Sequence, residues 1–486
     1  MIEQLDALAK ICCEKNATLK ACFSNGQITL NEFLDLQAEK IEQNNRITPL
    51  CNPEDFFSLA ENFVAARLGN EYAKKVNSAL RYGAACTADH HGGIYFAQSF
   101  QGDILFSFLL EKFGCNETTV PILSAGQVEL ENASYARGIS AYLRKDAREF
   151  FPIFPSKYSV QLASYTEAIN KETLKRFRRR FIYTADESAS VEIREILDKI
   201  LKEAYESEAV LSSECFSDQV TKIGANLTRN MFSDGKKIFI YLEMESLITP
   251  LVIKELQDKK SLISKLLFEP SVREKMLCEK LPEGTPLASL FFWGADEKGR
   301  KLHLTLMPDG KLVGKDWRGQ SIQYSADKEA LINLIKARKI FPGVFTMALV
   351  TFFERGFTWL GGMFQSFYMP EQQQALVHIL YSSGLKHEAQ TIEAYDCSGY
   401  ISGPVFFLYD GKDFSTPEGP VEAFKDKPSL VKLRELTHST KLWDAHLMGL
   451  SDIYSDLIPR NLRKENWYSL IAGELYEQYP ENRLTR

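Results

Sequence analysis

Asp89-His90-His91-Gly92-Gly93 is the densest run of chemistry-bearing residues in this chain. Histidine is the side chain that exchanges a proton near neutrality, and a carboxylate on the same face raises its pKa or fixes its tautomer. In an extended Cys86–His90 segment alternate side chains share a face, so Asp89 and His91 point one way and His90 the other. His91 is then the expected general acid or base, Asp89 its orienter, and His90 a second acid/base group or metal ligand. Aspartate and histidine are also first-choice ligands for zinc, manganese or iron, so a divalent metal at Asp89 and His91 is the cofactor this pattern would take. The two glycines let the backbone bend and approach a ligand closely. Asp103, after Gln101-Gly102, is expected to open the following helix and add a carboxylate.

Two further stretches supply candidate substrate contacts. Ser124-Ala125-Gly126-Gln127 follows an apolar run, and Asn132, Arg137 and Gly138 come soon after. A loop after a buried strand is where open α/β sheets bind ligands, so Gln127, Asn132 and Arg137 are candidates. If the two strands are parallel, Asp89-His91 and Gly126-Gln127 share one sheet edge. Farther on, Arg355 stands beside Glu354 between two long uncharged runs, with Gly361 and Gly362 close behind. An unpaired buried charge costs several kcal/mol, roughly, so Arg355 is expected to hold a carboxylate from a distant segment or a bound anion. Pairing with its neighbour Glu354 is not expected on one helical face. Gly361 and Gly362 could expose amides to that anion.

Asp89-His90-His91 resembles the Asp-His-His motif of the DHH phosphoesterases, which carry it just after a strand. The likeness covers three residues. The aspartate-rich D-x-D motif upstream and the GGGH-type motif late in the chain, which that family also carries, are absent, so the family is not assigned. Absent too are G-x-S-x-G, a G-x-G-x-x-G after a strand, HExxH, an EF-hand loop and a complete P-loop; Gly310-Lys311-Leu312-Val313-Gly314-Lys315 lacks the Ser/Thr and lies in a hairpin.

Composition bounds the classes that remain. The 486 residues are 45% hydrophobic and 25% charged, which excludes disorder and low-complexity scaffolds. A formal net charge of −6 disfavours a general nucleic-acid binder. The local exception is Lys175-Arg176-Phe177-Arg178-Arg179-Arg180, read as a solvated helix end before a phosphate site. Nine scattered cysteines form no CxxC pair, and the start lacks the cations and apolar core of a signal peptide. A reducing cytoplasm is the expected compartment. Each uncharged half around Glu354-Arg355 is shorter than the about 18–20 residues a membrane helix needs, so a buried helix followed by a glycine loop is expected there, and no membrane partner.

The elements that must position these residues follow from periodicity. Residues 1–85 read as a helical N-terminal part, 86–285 as an α/β core, 286–325 as a β-hairpin segment and 326–486 as a helical and mixed C-terminal part. Thr119–Ser124 and Lys236–Leu242 read as buried strands, Phe181–Thr184 as strand-like with cap residues at Asp186–Ser190, and Ile104–Phe113 as an apolar helix. Met307-Pro308-Asp309-Gly310 is a hairpin turn. Val405–Tyr409 reads as a strand, 411–429 as a long loop, and 326 to about 385 as helical. The fold class is α/β: a largely parallel sheet core flanked by helices.

The function expected from these residues is a cytoplasmic enzyme that acts on a small polar or anionic metabolite by hydrolysis or group transfer. The alternative is a non-catalytic binding or assembly protein with an aromatic-rich interface; oligomeric state is not legible. On the enzyme reading, Asp89 raises the His91 pKa. Asp89→Asn then moves a pH–rate profile to lower pH, and His91→Ala abolishes turnover with the fold intact.

Overall fold

A computed structural model of the chain describes residues 24–132, 134, 136–143, 148–183, 191–411, 414–457, 476 and 478–484, together with 10, 13 and 20. Its strands in chain order are β1 (Ala84–Cys86), β2 (Thr119–Ser124), β3 (Gly138–Ala141), β4 (Glu149–Pro152), β5 (Ile238–Glu243), β6 (Phe292–Ala295), β7 (Lys301–Leu306), β8 (Lys311–Lys315), β9 (Ser321–Ser325), β10 (Ile340–Pro342), β11 (Thr358–Gly362), β12 (Tyr400–Ser402), β13 (Leu408–Asp410) and β14 (Ser415–Pro417). Five of them form a wholly parallel sheet in the order β12-β11-β1-β2-β5. The chain winds outward from β1 through β2 to β5, then returns to the other side of β1 for β11 and β12. The reversal therefore falls between β1 and β11, as in doubly wound α/β folds.

Every residue of β1, β2 and β5 is buried, because helices cover both faces and leave no solvated side. Alternation then assigns side chains to layers. Cys86, Val120, Ile122, Phe239 and Tyr241 pack toward the layer holding the helices Ala97–Lys112 and Phe216–Thr228. Ala85, Leu123, Ile240, Leu242 and Trp359 pack toward the layer holding Glu54–Leu68, Asn70–Leu80 and Met244–Gln257. A second sheet, antiparallel in the order β10-β6-β7-β8-β9, is joined to this layer. Its β7–β8 turn is the expected Met307–Gly310 hairpin, with Gly310 at φ +82°.

Several elements differ from the sequence reading. Trp359-Leu360-Gly361-Gly362 is strand β11, not a loop, since a strand buried on both faces carries no period-2 signal to distinguish it. The parallel sheet thus takes its last two strands from the stretch read as C-terminal. The stretch from 326 to about 385 is interrupted by β10 as well. Phe181 is the last residue of the helix Lys171–Phe181, and the amides of Ile182 and Tyr183 donate to the Arg178 carbonyl, so no strand begins there. Thr184 and the cap residues Asp186–Ser190 lie outside the described residues, as do Leu5, Leu8, Ala9 and Cys12 of the N-terminal helical pattern. The stretch 411–429 holds β14 and the helix Pro420–Asp426, which Pro420 opens at a position where its missing N–H costs nothing. Asp103 sits in the middle of the helix Ala97–Lys112 rather than at its start.

The cation run lies on the helix Lys171–Phe181. Its Leu174 and Phe177 are buried, and Arg178 pairs with Asp198 and Glu206. Among the described residues no helix is long and apolar enough to cross a membrane. Arg355 is buried, and its partners come from far along the chain. Its Nε and Nη2 fork the Asp55 carboxylate at 2.8 Å each, Nη1 donates to the Val350 carbonyl at 2.6 Å, and Nη2 also reaches Glu255. Glu354 nevertheless comes within 3.9 Å of Nη1, because the helical run ends in a π-turn (Leu349–Phe353) that changes the side-chain directions. Asp55, although partly buried, is held down to about 2 by its hydrogen bonds to Arg355 and Lys254. Arg355→Met would leave Glu255 buried without its cation. The expected cost is about 3–5 kcal/mol in denaturant unfolding, and a change within the noise of that measurement would disprove the structural role.

Candidate active site

The carboxyl end of β5 opens on a cleft of about 340 Å³. Glu243, the last residue of β5, and Glu245, in the first turn of the following helix, form its polar end. Ser164 and Tyr165 come from the short turn Ala163–Tyr165, and Arg338 from the bend between the helix Lys328–Lys336 and β10. Glu243 is 1% exposed and Glu245 4%. Such a volume falls at the lower end of the roughly 300–1,000 Å³ typical of small-molecule sites.

The two glutamates are held differently. Glu245 accepts the backbone N–H of Gly126 at 2.7 Å and of Gln127 at 3.0 Å. Glu243 accepts the hydroxyl protons of Ser217 at 2.6 Å and Ser246 at 2.5 Å through Oε2, an arrangement that suits a carboxylate, while its Oε1 has no hydrogen-bond partner. Burial, reinforced by the charge of Glu243, pushes the Glu245 carboxyl up to about 8 against the pull of those two amides. Gly126 is required by this closeness: a Cβ there would lie 2.6 Å from Glu243 Oε1 and 2.9 Å from Glu245 Oε2. Lys301, with its ammonium 3.6 Å from the centre of the Trp293 ring, is pushed down to about 8 by burial, with Glu245 and Glu129 opposing the fall.

Arg338 is one of two non-glycine residues with positive φ among the described residues, at +54°. It closes the helix Lys328–Lys336 where glycine is the usual choice. The strained position carries the guanidinium over the Tyr165 ring at 5.2 Å, and Nη2 donates to the Ser164 carbonyl at 2.6 Å. Burial pushes the Tyr165 hydroxyl up to about 12.

The Asp-His-His run lies behind this cleft, at the same sheet edge. Parallel pairing continues past β1, with the His91 amide donating to the Ala125 carbonyl at 2.8 Å and the Ala125 amide to the Asp89 carbonyl at 2.9 Å. This brings Asp89–His91 beside Gly126-Gln127. His91 is fully buried; its Nδ1 is 2.7 Å from Ser124 Oγ and its Nε2 is 2.9 Å from the Ser217 carbonyl. The carbonyl can only accept, so Nε2 carries the proton and Nδ1 receives the Ser124 hydroxyl. Ser217 Oγ, 3.2 Å from Nε2, links this histidine to Glu243. The carboxylate that serves His91 is therefore Glu243, through a serine, and not Asp89. Burial lowers the His91 pKa, contrary to the expected rise, and its two hydrogen bonds make it part of the core rather than a dispensable strand-end residue.

Asp89 faces a different neighbour. With Cys86 and Asp103 it brings ligand-type atoms within 4.8 Å of one another, all buried, and Asp103 Oδ2 accepts the Tyr241 hydroxyl at 2.9 Å. Burial pushes Asp89 up to about 7 and Asp103 well above its ordinary range, Asp89 adding to the second shift. A metal would find its donors here at Cys86, Asp89 and Asp103; the nitrogens of His91 are turned to Ser124 and Ser217. His90 is partly exposed, its Nδ1 3.0 Å from both Asn132 Oδ1 and Ser134 Oγ. Arg137 pairs with Glu131 at 3.0 Å and donates to the Phe154 carbonyl. Gln127 is buried with both side-chain polar atoms unpartnered. Gly361 and Gly362 end β11 on the far side of β1, and Arg355 is taken up by Asp55, Glu255 and Val350.

Sequence reasoning did not single out Glu243, Glu245, Ser217, Lys301 or Arg338. Glu243-Met244-Glu245 at the end of a buried strand was the available signal, since a ligand-binding edge is where strand carboxyl ends meet helix starts. No family model matches this chain, and no curated protein matches it.

Two measurements check this electrostatic picture. Glu245 keeps a proton in the folded chain that it has lost in the unfolded one between about 4.5 and 8. Folding stability contributed by this group is complete below that window and is lost as pH rises through it. Glu245→Gln removes the titration, so its stability relative to wild type rises from pH 5 to pH 9; parallel stability curves would show that Glu245 is ionised throughout. His91→Ala, which strands Ser124 and Ser217, is expected to cost about 1–3 kcal/mol in unfolding free energy. No loss would mean that water replaces the imidazole freely.

Proposed function

We propose that the chain is an enzyme acting on a small polar or anionic metabolite by hydrolysis or group transfer, with acid/base chemistry in the cleft at the end of β5. The observation that carries this reading is the Glu243–Glu245 pair. Two carboxyl groups share one cavity wall, one arranged as a hydrogen-bond acceptor and the other protonated at neutral pH. A carboxyl that keeps its proton beside one arranged only to accept hydrogen bonds offers an acid next to a base. Glu245 is the general acid, Glu243 the base, and Arg338 the site for negative charge on the substrate or the developing product. Ser217 and His91 are positioning residues that orient Glu243 from behind.

Asp89 and His90, read from the sequence as catalytic with His91, take a supporting place. Asp89 belongs to the buried Cys86–Asp103 cluster and His90 braces the loop bearing Asn132. The composition and cysteine pattern favour a cytoplasmic setting.

The test is consumption of compounds from a mixture of small polar metabolites by the full chain, followed by mass spectrometry. Wild type is expected to deplete a narrow set, and Glu245→Gln to lose about 100-fold or more of that rate. Because the acid must be protonated, the rate is expected to fall as pH rises through about 8. Binding without consumption by wild type would favour the non-catalytic alternative.

A further inference from the structure

Within the same cleft, the unused polar atoms have a definite pattern. Glu243 Oε1, Ser164 Oγ and Tyr165 Oη are buried, belong to residues that line the cavity and make no hydrogen bond in the chain. Buried polar atoms are nearly always satisfied, so three left open around one cavity mark where a ligand or water completes the network. Glu243 Oε1 is an acceptor and calls for a donor, best a cationic one. Opposite in charge is Arg338, whose planar fork suits a carboxylate and whose strained backbone holds it at the cleft. Lys336 adds a second cation and Ser246 and Thr249 add hydroxyls; the rest of the wall, from Pro250, Ile253, Ile335, Ile340 and Phe341, is apolar.

A site with the anionic acceptor Glu243 beside a protonated Glu245, cations at Arg338 and Lys336, and a largely apolar remainder matches a molecule carrying both charges and a hydrocarbon group. We propose that the ligand class of this cleft is the apolar α-amino acid or a close derivative with both charges retained. Its ammonium sits on Glu243 Oε1, its carboxylate on Arg338 with Ser164 Oγ as a further donor, and its side chain against the isoleucines. Phosphate esters and sugars fit less well, because neither offers a cation to Glu243 nor hydrocarbon to the wall. A divalent cation alone would bring no anion to Arg338, whose guanidinium meets the neutral Ser164 carbonyl and the Tyr165 ring. This assignment rests on the acid/base reading of the cleft and narrows it to one substrate class.

Calorimetric titration of the full chain separates the two. The probes are L-leucine, L-methionine and L-phenylalanine, with isocaproate lacking the ammonium and isoamylamine lacking the carboxylate. At least one amino acid is expected to bind, and its single-charge counterparts roughly tenfold or more weaker. Glu243→Gln is expected to weaken the amino acid by a similar factor and leave isocaproate unchanged. Arg338→Gln, at an exposed position whose loss does not threaten folding, is expected to weaken the amino acid and leave isoamylamine unchanged. Isocaproate binding as tightly as leucine would overturn the assignment. So would no amino-acid binding by a chain that still consumes other metabolites through Glu245, an outcome that leaves the acid/base reading standing. No binding, together with full consumption by Glu245→Gln, would overturn both.

Discussion

The parallel pairing of β2 with β1 on one side and β5 on the other is the constraint on which the remaining structure depends. Its register with β5 runs unbroken from Thr119 opposite Ile238 to Ser124 opposite Glu243. That register ends three strands' polar residues at one level: the Asp89–His91 run after β1, Gly126-Gln127 after β2, and Glu243 with Glu245 after β5. A slip of one residue would turn Glu243 to the opposite helical layer and leave Ser217 and His91 without their carboxylate. Since all three strands are buried on both faces, such a slip would also exchange every apolar contact, so packing in the two layers holds the polar edge in place.

Buried carboxyl pairs recur in this molecule, and their surroundings separate them. Glu255 and Glu354 lie beside Arg355, which forks Asp55 from the first helical segment and ties the π-turn to two helices. Even there burial and Glu255 push Glu354 up to about 8, because one guanidinium cannot serve three carboxylates equally. Asp89 and Asp103 have no cation among the described residues close by and answer burial by holding protons, with Tyr241 as a donor. Glu243 and Glu245 face a cavity with no ion pair among the described residues, whereas Glu255 and Glu354, which line a separate cavity of about 310 Å³, are tied to Arg355. A proton held at a cavity wall can be transferred to a substrate; one held in a closed core serves packing. Access separates the cleft from Asp89 and Asp103, and the guanidinium of Arg355 separates it from Glu255 and Glu354.

The sequence by itself determined the α/β class, the β2 and β5 strands, the hairpin at Gly310 and the sharing of one edge by Asp89–His91 and Gly126-Gln127. These follow from local rules: a short apolar run bounded by turn residues, a proline-glycine turn, and the period-2 geometry of extended chain. The isolation of Arg355 also made its burial and its distant partner legible, because an unpaired charge is not tolerated inside. Tertiary structure alone decided which acid each group meets. His91 and Asp89 are two residues apart and were read as a pair, yet Ser217, 126 residues away, gives His91 its link to Glu243, and Asp103 takes Asp89. Strand β11 was hidden for a related reason: buried on both faces, it shows no alternation, and only its partners distinguish it from a loop or helix. Arg338 was hidden too, because a left-handed backbone at an arginine leaves no mark in composition or spacing. Local periodicity says which faces are apolar; which polar groups converge at the end of a sheet depends on strand order and register, and those are properties of the folded whole.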